Sequence, residues 1–180
     1  MELATPLENH IEKIEEPSAE KLGPDLAFIF NYWKKLCDGQ QLPKWQSWDW
    51  QEVPSHIIPW CAVVDVRQFP KDFVIRFWGT GRIRIHGKDY TGESVSSIEP
   101  AEAAIKAFAE YYEVAVSGAP VFRIRTGLGK SSDRIYKILR VPFGSQQRTD
   151  QILSTGTCFD EDIPKEQSAS SLYSNFPPLE

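Results

Sequence analysis

The amino-acid sequence predicts an α+β domain: a five-stranded antiparallel sheet with helices across one face and a flanking N-terminal helix. Two stretches have the three-to-four-residue apolar spacing of helices, and five are rich in β-branched and aromatic residues. Their order is one helix, two strands, short helices, one long helix and three strands. Because short turns separate the strands within each group, we expect antiparallel pairing.

The first helix is predicted over residues 25–37. After Pro24, apolar side chains recur at Leu26, Ile29, Phe30, Trp33 and Cys37. Gly39 then offers the left-handed conformation that ends many helices. The prolines that follow break residues 40–59 into turns, with one helical turn near 49–53.

Residues 60–67 and 73–78 read as a hairpin, since both are dense in strand-forming residues and a turn-forming segment joins them. A long helix is predicted from Pro100 to Gly118. Its apolar face is expected to comprise Ala101, Ala104, Ile105, Phe108, Tyr112 and Ala115. Strands near 120–126, 134–142 and 151–158 follow, separated by turns at 127–133 and 144–147.

The chain divides into an acidic arm over 1–22, a folded domain over 23–159 and a polar tail over 160–180. In the arm, Leu7, Ile11 and Ile14 have helical spacing and predict a short amphipathic helix. Both ends are acidic while the middle carries net positive charge, and the whole chain carries −5. Acidic ends repel a polyanion, which argues against nucleic-acid binding.

No apolar run approaches the length of a membrane span, and the N-terminus lacks the pattern of a secretory signal, so we expect a cytoplasmic protein with no membrane partner. The three cysteines, Cys37, Cys61 and Cys158, are far apart and form no Cys-x-x-Cys motif. Reduced, buried thiols are therefore expected, and no metal site is predicted.

One stretch carries a resemblance. The segment 73–81 (FVIRFWGTG), followed by 87–94 (GKDYTGES), resembles the signature of a bacterial PAS-like family of short single-domain proteins. The resemblance covers about residues 25–158. It implies a PAS fold and a sensory or protein-interaction module, without catalytic residues of its own. The residues that carry the motif are Gly79, Thr80, Gly87, Asp89, Thr91 and Gly92.

Turn chemistry predicts that this motif shapes the chain and does not bind a ligand. Gly79 and Gly81 are expected to adopt positive φ where the chain turns under the sheet. Asp89 can accept hydrogen bonds from backbone amides two or three residues further on. Gly92 then lets the chain leave that turn.

Aromatic residues form the candidate ligand site between sheet and helices. The set Phe73, Phe77, Trp78, Phe108, Tyr112 and Phe122 could line a cavity, although a packed core is the more common use of such residues. The candidate ligand-binding residues are Trp78, His86, Tyr90, Phe108, Tyr112 and Phe122. An anionic ligand would find Arg76, Arg123 and Arg125, yet strand alternation predicts that the last two face solvent.

The cofactor is unknown. His86 lies in the helical crossover, but haem in PAS domains is typically held by a histidine of the long helix, which has none here. Residues 79–100 also lack the cysteine of light-sensing flavin domains. The alternative from another class is a small cone-fold enzyme of the ketosteroid-isomerase type, in which Asp65 would be the candidate general base.

The apolar pattern of the strand at 134–141 predicts that a helix of this chain or a second subunit contacts the sheet. Ile135, Leu139 and Val141 alternate with Tyr136 and Ile138, so both of its faces are apolar and both need a cover. Either the helix 25–37 covers the second face or a second subunit does. We expect a homodimer that uses this helix and the sheet face, with a signalling protein as a further possible partner.

Overall fold

Six strands form one antiparallel sheet in the computed structural model, which describes residues 12–14, 17, 19–68, 71–126, 135–145 and 148–159. The strands are β1 (Glu12–Ile14), β2 (Cys61–Gln68), β3 (Lys71–Trp78), β4 (Val121–Thr126), β5 (Ile135–Ser145) and β6 (Arg148–Phe159). The helices are α1 (Ala19–Leu22), α2 (Pro24–Cys37), α3 (Thr80–His86) and α4 (Ala101–Ser117). Short 3₁₀ turns lie at Trp45–Ser47, Trp50–Glu52, Ile58–Trp60 and Val95–Ser97.

The strand order is β1-β4-β5-β6-β2-β3. The hairpin β2–β3 therefore joins the meander β4–β5–β6 through β2 and β6, and α3 and α4 lie in the crossover between them. This is the predicted PAS-like α+β sheet of five strands, extended by the short β1. One cross-strand row spans the five strands: Trp78, Ala62, Ser154, Arg140 and Val121.

The first helix covers one face of the sheet. Leu26, Ile29 and Trp33 of α2 are buried against this face, and the Trp33 indole donates a hydrogen bond to the carbonyl of Pro142 at 2.6 Å. Aromatic residues of the turns after α2 extend the cover, with Trp48 5.5 Å from the Phe143 ring. The chain thus supplies its own cover for the second apolar face. A second subunit is not needed for that purpose, and the dimer through α2 stays a prediction.

The long helix covers the opposite face, but with a different side of the helix from the one predicted. The buried residues of α4 are Ala103, Ala104, Ala107, Glu110, Tyr111 and Val114. Ile105 and Tyr112, predicted to be buried, are 69% and 48% exposed. Apolar residues surround most of this helix, so periodicity alone could not identify the inner side. A charged residue, Glu110, fits inside because Arg140 of the sheet pairs with it.

The predicted helix of the N-terminal arm is wrong where the structure describes it. Residues 12–14 form β1, which pairs antiparallel with β4, with Ile14 opposite Phe122. Leu22 is buried in the core beneath α2. Leu7 and Ile11, the turn 127–133 and the tail 160–180 lie outside the described residues, as do the side chains of Arg125, Ile135, Tyr136 and Cys158.

Two β-bulges interrupt the sheet. Val63 pairs with Phe77 but Val64 pairs with Ile75, so Arg76 is an extra residue in β3. This insertion reverses the alternation, and Phe77 packs on the α2 face while Phe73 faces α4. A second bulge changes the predicted turn at 144–147, since Gly144 and Ser145 belong to β5.

Candidate functional site

Three of the predicted ligand residues meet at the crossover. The Trp78 ring lies 5.2 Å from the ring of His86 and 5.5 Å from that of Tyr90, and His86 and Tyr90 are 6.2 Å apart. Trp78 ends β3, His86 ends α3, and Tyr90 follows the turn after α3. We call these three residues the ring cluster. It fastens α3 to the last residue of the edge strand.

Burial and a neighbouring cation keep His86 neutral. Burial of the imidazole and the nearby Arg82 cation lower the pKa of His86 to about 4, against a backbone hydrogen bond with Glu99 that raises it. The Tyr90 hydroxyl accepts a hydrogen bond from the Glu99 amide at 3.1 Å. His86 and Tyr90 therefore both form hydrogen bonds with the backbone of Glu99, just before α4 begins.

Arg82 connects the cluster to the middle of the sheet. Its guanidinium lies 5.2 Å from the Trp78 ring and donates hydrogen bonds to the Trp60 carbonyl at 2.9 Å and the Ser154 hydroxyl at 3.0 Å. Trp78 is 4% exposed, and its indole Nε1 has no hydrogen-bond acceptor among the described residues. A buried indole N–H is normally bonded, so Trp78 lacks the partner that such a donor usually has.

Hydrogen bonds hold the turn that follows α3, as predicted for Asp89. The Asp89 carboxylate accepts hydrogen bonds from the Thr91 amide at 2.9 Å and the Thr91 hydroxyl at 2.7 Å, and both bonds lower its pKa. Gly92, at φ +89°, donates to the Ile75 carbonyl at 2.7 Å. The turn is thereby attached to β3.

Gly79 and Gly81 are needed for a reason other than the predicted one. Neither residue adopts positive φ. A Cβ on Gly79 would lie 2.2 Å from the carbonyl oxygen of Pro59, and one on Gly81 would lie 2.8 Å from the Trp60 ring. Close packing of α3 against the turn before β2 therefore excludes a side chain at both positions.

The remaining predicted ligand residues lie apart. Phe108 packs against Phe73, with ring centroids 5.0 Å apart, and so belongs to the core beneath α4. Tyr112 is 48% exposed, with the Lys71 ammonium 5.7 Å from its ring. Phe122 lies on the α2 face, on the other side of the sheet. The predicted aromatic cavity is therefore divided between two layers and the surface.

Two ion pairs between α4 and the sheet were not predicted from the sequence. Arg123 was predicted to face solvent, yet it is 6% exposed and ion-paired with Glu113. Arg140, 3% exposed, pairs with Glu110 and lies 4.5 Å from the Tyr111 ring. The available signal was the position of Glu110 in line with Ala103, Ala107 and Val114, which places a carboxylate on the face that α4 buries.

Asp65, the base that the cone-fold alternative would use, is on the α2 side of β2. Its carboxylate forms an ion pair with Arg76 at 2.7 Å and accepts a hydrogen bond from the Gln151 amide at 3.4 Å. A strand position facing away from α4 does not favour that alternative. The described residues contain no group of three potential metal-ligating side chains.

Burial raises the pKa of the Cys61 thiol to about 11, so this sulfur is protonated and unreactive at neutral pH. Cys37 is a free thiol as well, but it is only partly buried, whereas buried thiols were predicted. Within the described ranges, no helix has the length and apolar character that crossing a bilayer requires.

A search of solved structures finds a structure with a chain that is similar to this one. No family model matches the chain, and no curated protein matches it. The structure is that of a light-oxygen-voltage domain, studied with a flavin analogue, which has a TM-score of 0.39 and 16% sequence identity. The match covers 57% of this chain and 78% of that one. The PAS-like assignment itself stands on the strand order and the helical crossover described above.

Proposed function

We propose that this chain is a non-enzymatic PAS-like sensory or interaction module that acts in the cytoplasm through protein contacts. The observation that carries the proposal is a row of exposed side chains on α4. Ile105 is 69% exposed, Val116 64% and Tyr112 48%, and Ala109 between them is exposed as well. We call these four residues the outer row. Large apolar side chains grouped on one exposed face favour a protein partner.

The spacing of the outer row favours a helix as the partner. Its residues are separated by four, three and four positions, the repeat at which one helix presents a continuous stripe to another. At 3.6 residues per turn, this stripe points directly away from the buried face of α4. The row is therefore accessible without any change in the core.

The occupant that fits is the α4 helix of a second copy, antiparallel to the first. In that arrangement Ile105 lies opposite Val116 of the partner subunit. The Tyr112 ring lies opposite Ala109 of the partner subunit, so a large side chain meets a small one. A parallel pair would instead place the two tyrosines against each other and leave a void between the alanines.

The flanks of the row support the same arrangement. Glu102, Lys106 and Glu113 flank one side, and Ala101, Phe108 and Ala115 flank the other. Two antiparallel helices bring like flanks together, so Lys106 lies near Glu113 of the partner subunit and the apolar flanks also meet. A single helix pair is a small interface, and we expect weak association in the micromolar range.

Sedimentation velocity over a concentration series tests the surface. Ile105→Lys and Val116→Lys should each abolish self-association while keeping the far-UV spectrum and the thermal midpoint. The matched control is Phe28→Lys, an exposed residue of α2 at 36% exposure, which should associate as the unaltered chain does. Loss of association only in the Phe28 variant would assign the dimer to α2 instead. A chain that stays monomeric at hundreds of micromolar overturns the proposal of a second copy.

The sensory part of the proposal is a small molecule at the ring cluster. The Trp78 donor, which has no acceptor among the described residues, and the neutral His86 support a ligand with a hydrogen-bond acceptor and an apolar body. Native mass spectrometry of freshly purified protein tests for a retained ligand, and thermal shift across a metabolite panel tests for added ones. Binding that is lost in Trp78→Phe, which removes the donor and keeps an aromatic ring, supports the site. Silence in both measurements favours a purely structural adaptor.

A further inference from the structure

We propose a second ligand site, a cleft on the α2 side of the sheet that binds a small zwitterion of the α-amino-acid class. The cleft has a volume of about 870 Å³ and opens to solvent. It lies on the side of the sheet away from α4 and is separate from both the outer row and the ring cluster. Its lining residues are Lys44, Trp45, Gln46, Asp65, Val66, Arg76, Gly144, Ser145, Asp150 and Gln151.

Both bulges of the sheet contribute their extra residue to this cleft. Arg76 is the unpaired residue of β3, between the partners of Val63 and Val64. Asp150 is the unpaired residue of β6, since Phe143 pairs with Gln151 and Gly144 pairs with Thr149. A bulge redirects a side chain that regular alternation would place elsewhere, and bulges are common beside functional sites. Here two separate bulges direct a cation and an anion into one space.

The turn on one side of the cleft is held against the sheet. The Gly144 amide donates a hydrogen bond to the Pro43 carbonyl at 2.9 Å, which holds the turn bearing Lys44 and Trp45 against β5. A Cβ at Gly144 would lie 1.8 Å from the Arg148 carbonyl oxygen, so the second bulge requires glycine. Trp45 also packs edge-on against Phe143 with ring centroids 5.0 Å apart. The shape of the cleft therefore comes from backbone and core contacts.

The charges of the lining side chains balance. Lys44 and Arg76 are cationic, and Asp65 and Asp150 are anionic. Arg76 uses Nε and one terminal nitrogen on Asp65, which leaves its other terminal N–H groups for a carboxylate. Asp150, 28% exposed, has acceptor capacity beyond its bond from Arg148 and can receive an ammonium group.

A ligand with both charges matches this arrangement better than one with a single charge. A lone anion could pair only with Lys44 and Arg76, and a lone cation only with the carboxylates, so each would leave one set without a new partner. A zwitterion pairs with both sets at once, and the Trp45 indole offers a flat apolar surface to its side chain. The volume lies within the usual range of small-molecule sites, about 300–1,000 Å³.

Amide and indole chemical shifts in ¹H–¹⁵N spectra of the full chain test this inference. The probes are glycine and the nineteen standard L-amino acids, at millimolar concentration. Each is compared with its decarboxylated amine and with its N-acetyl derivative, which lacks the ammonium charge. We expect at least one amino acid to shift the Trp45 indole and the Gly144 amide with saturation. Both analogues, each of which lacks one of the two backbone charges, should bind at least about tenfold more weakly.

Matched variants locate the site. Asp150→Asn keeps the size of the side chain, and Arg76→Gln keeps a polar but shorter one; each removes a charge and should weaken binding at least about tenfold. Trp78→Phe at the ring cluster should leave it unchanged, so failure of one ligand site can be told from failure of the other. The inference is overturned if no amino acid shifts these signals. It is equally overturned if the analogues bind as well as the zwitterion, or if Arg76→Gln and Asp150→Asn bind as the unaltered chain does.

Discussion

The carboxylate of Glu110 on α4 and the guanidinium of Arg140 on β5 form an ion pair inside the domain, where the side chains are 7% and 3% exposed. Arg140 lies in the row that crosses all five principal strands, and on its strand it is directly opposite Ser154, which accepts a hydrogen bond from Arg82. The helix that bears the outer row is therefore joined by an ion pair to the middle of the sheet, one strand away from the residue that binds Arg82.

Removing one partner of this pair should be severely destabilising. For Glu110→Gln we expect a loss of about 3–5 kcal/mol in the free energy of unfolding, because Arg140 would remain buried without a countercharge. The double variant Glu110→Leu/Arg140→Leu should recover most of that loss. Urea denaturation of the single and double variants measures both. Additive losses would contradict the pairing.

Stability should rise between pH 4 and pH 6.5 because of His86. Its pKa is about 4 in the folded chain and 6.5 ordinarily, so the unfolded state binds more protons in this window. The contribution is fully present above pH 6.5, is lost as the pH falls toward 4, and amounts to about 3 kcal/mol. Chemical denaturation at stepped pH measures the slope, and His86→Gln should flatten it. An equal slope in that variant would assign the pH dependence to other groups.

Gly79→Ala should prevent or severely impair folding, because its methyl group would meet the Pro59 carbonyl. Gly156→Ala is the matched control, since the added Cβ would meet its nearest atom at an ordinary 3.5 Å. Thermal unfolding followed by circular dichroism compares the two. Similar midpoints would show that α3 can move away from the turn before β2.

Asp89→Ala should cost about 1 kcal/mol through the loss of its bonds with Thr91. The conservative variant Asp89→Asn retains an acceptor oxygen and should lose less. The readout is the urea midpoint, together with its slope. A midpoint and slope unchanged in Asp89→Ala would show that the turn is held by its glycines and its bonds to β3 alone.

The elements themselves were predictable because their signals are local. The positions of proline, glycine and apolar residues predicted the ends of α2 and α4 closely. Runs of strand-forming residues located β2 to β6. The sides on which residues face were less predictable. Phe77 packs against the α2 layer because Arg76 is inserted before it, and an insertion in one strand is defined only by the partner strand.

For the candidate site, the sequence pointed to Trp78, His86 and Tyr90, and the structure brings their rings together. It also pointed to Tyr112 and Phe122, which lie elsewhere, since residue type does not reveal which layer a side chain joins.

The sequence by itself determined the order of helices and strands from α2 to β6, the turn at Asp89 and the requirement for a cover on both faces of the sheet. Only the tertiary structure decided that α2 is that cover, that Arg123 and Arg140 lie inside, and that Ile105 and Val116 lie outside. The physical reason is that propensity and turn chemistry act between neighbours in the chain. Whether a charge can be buried depends on a partner distant in sequence, such as Glu110 for Arg140.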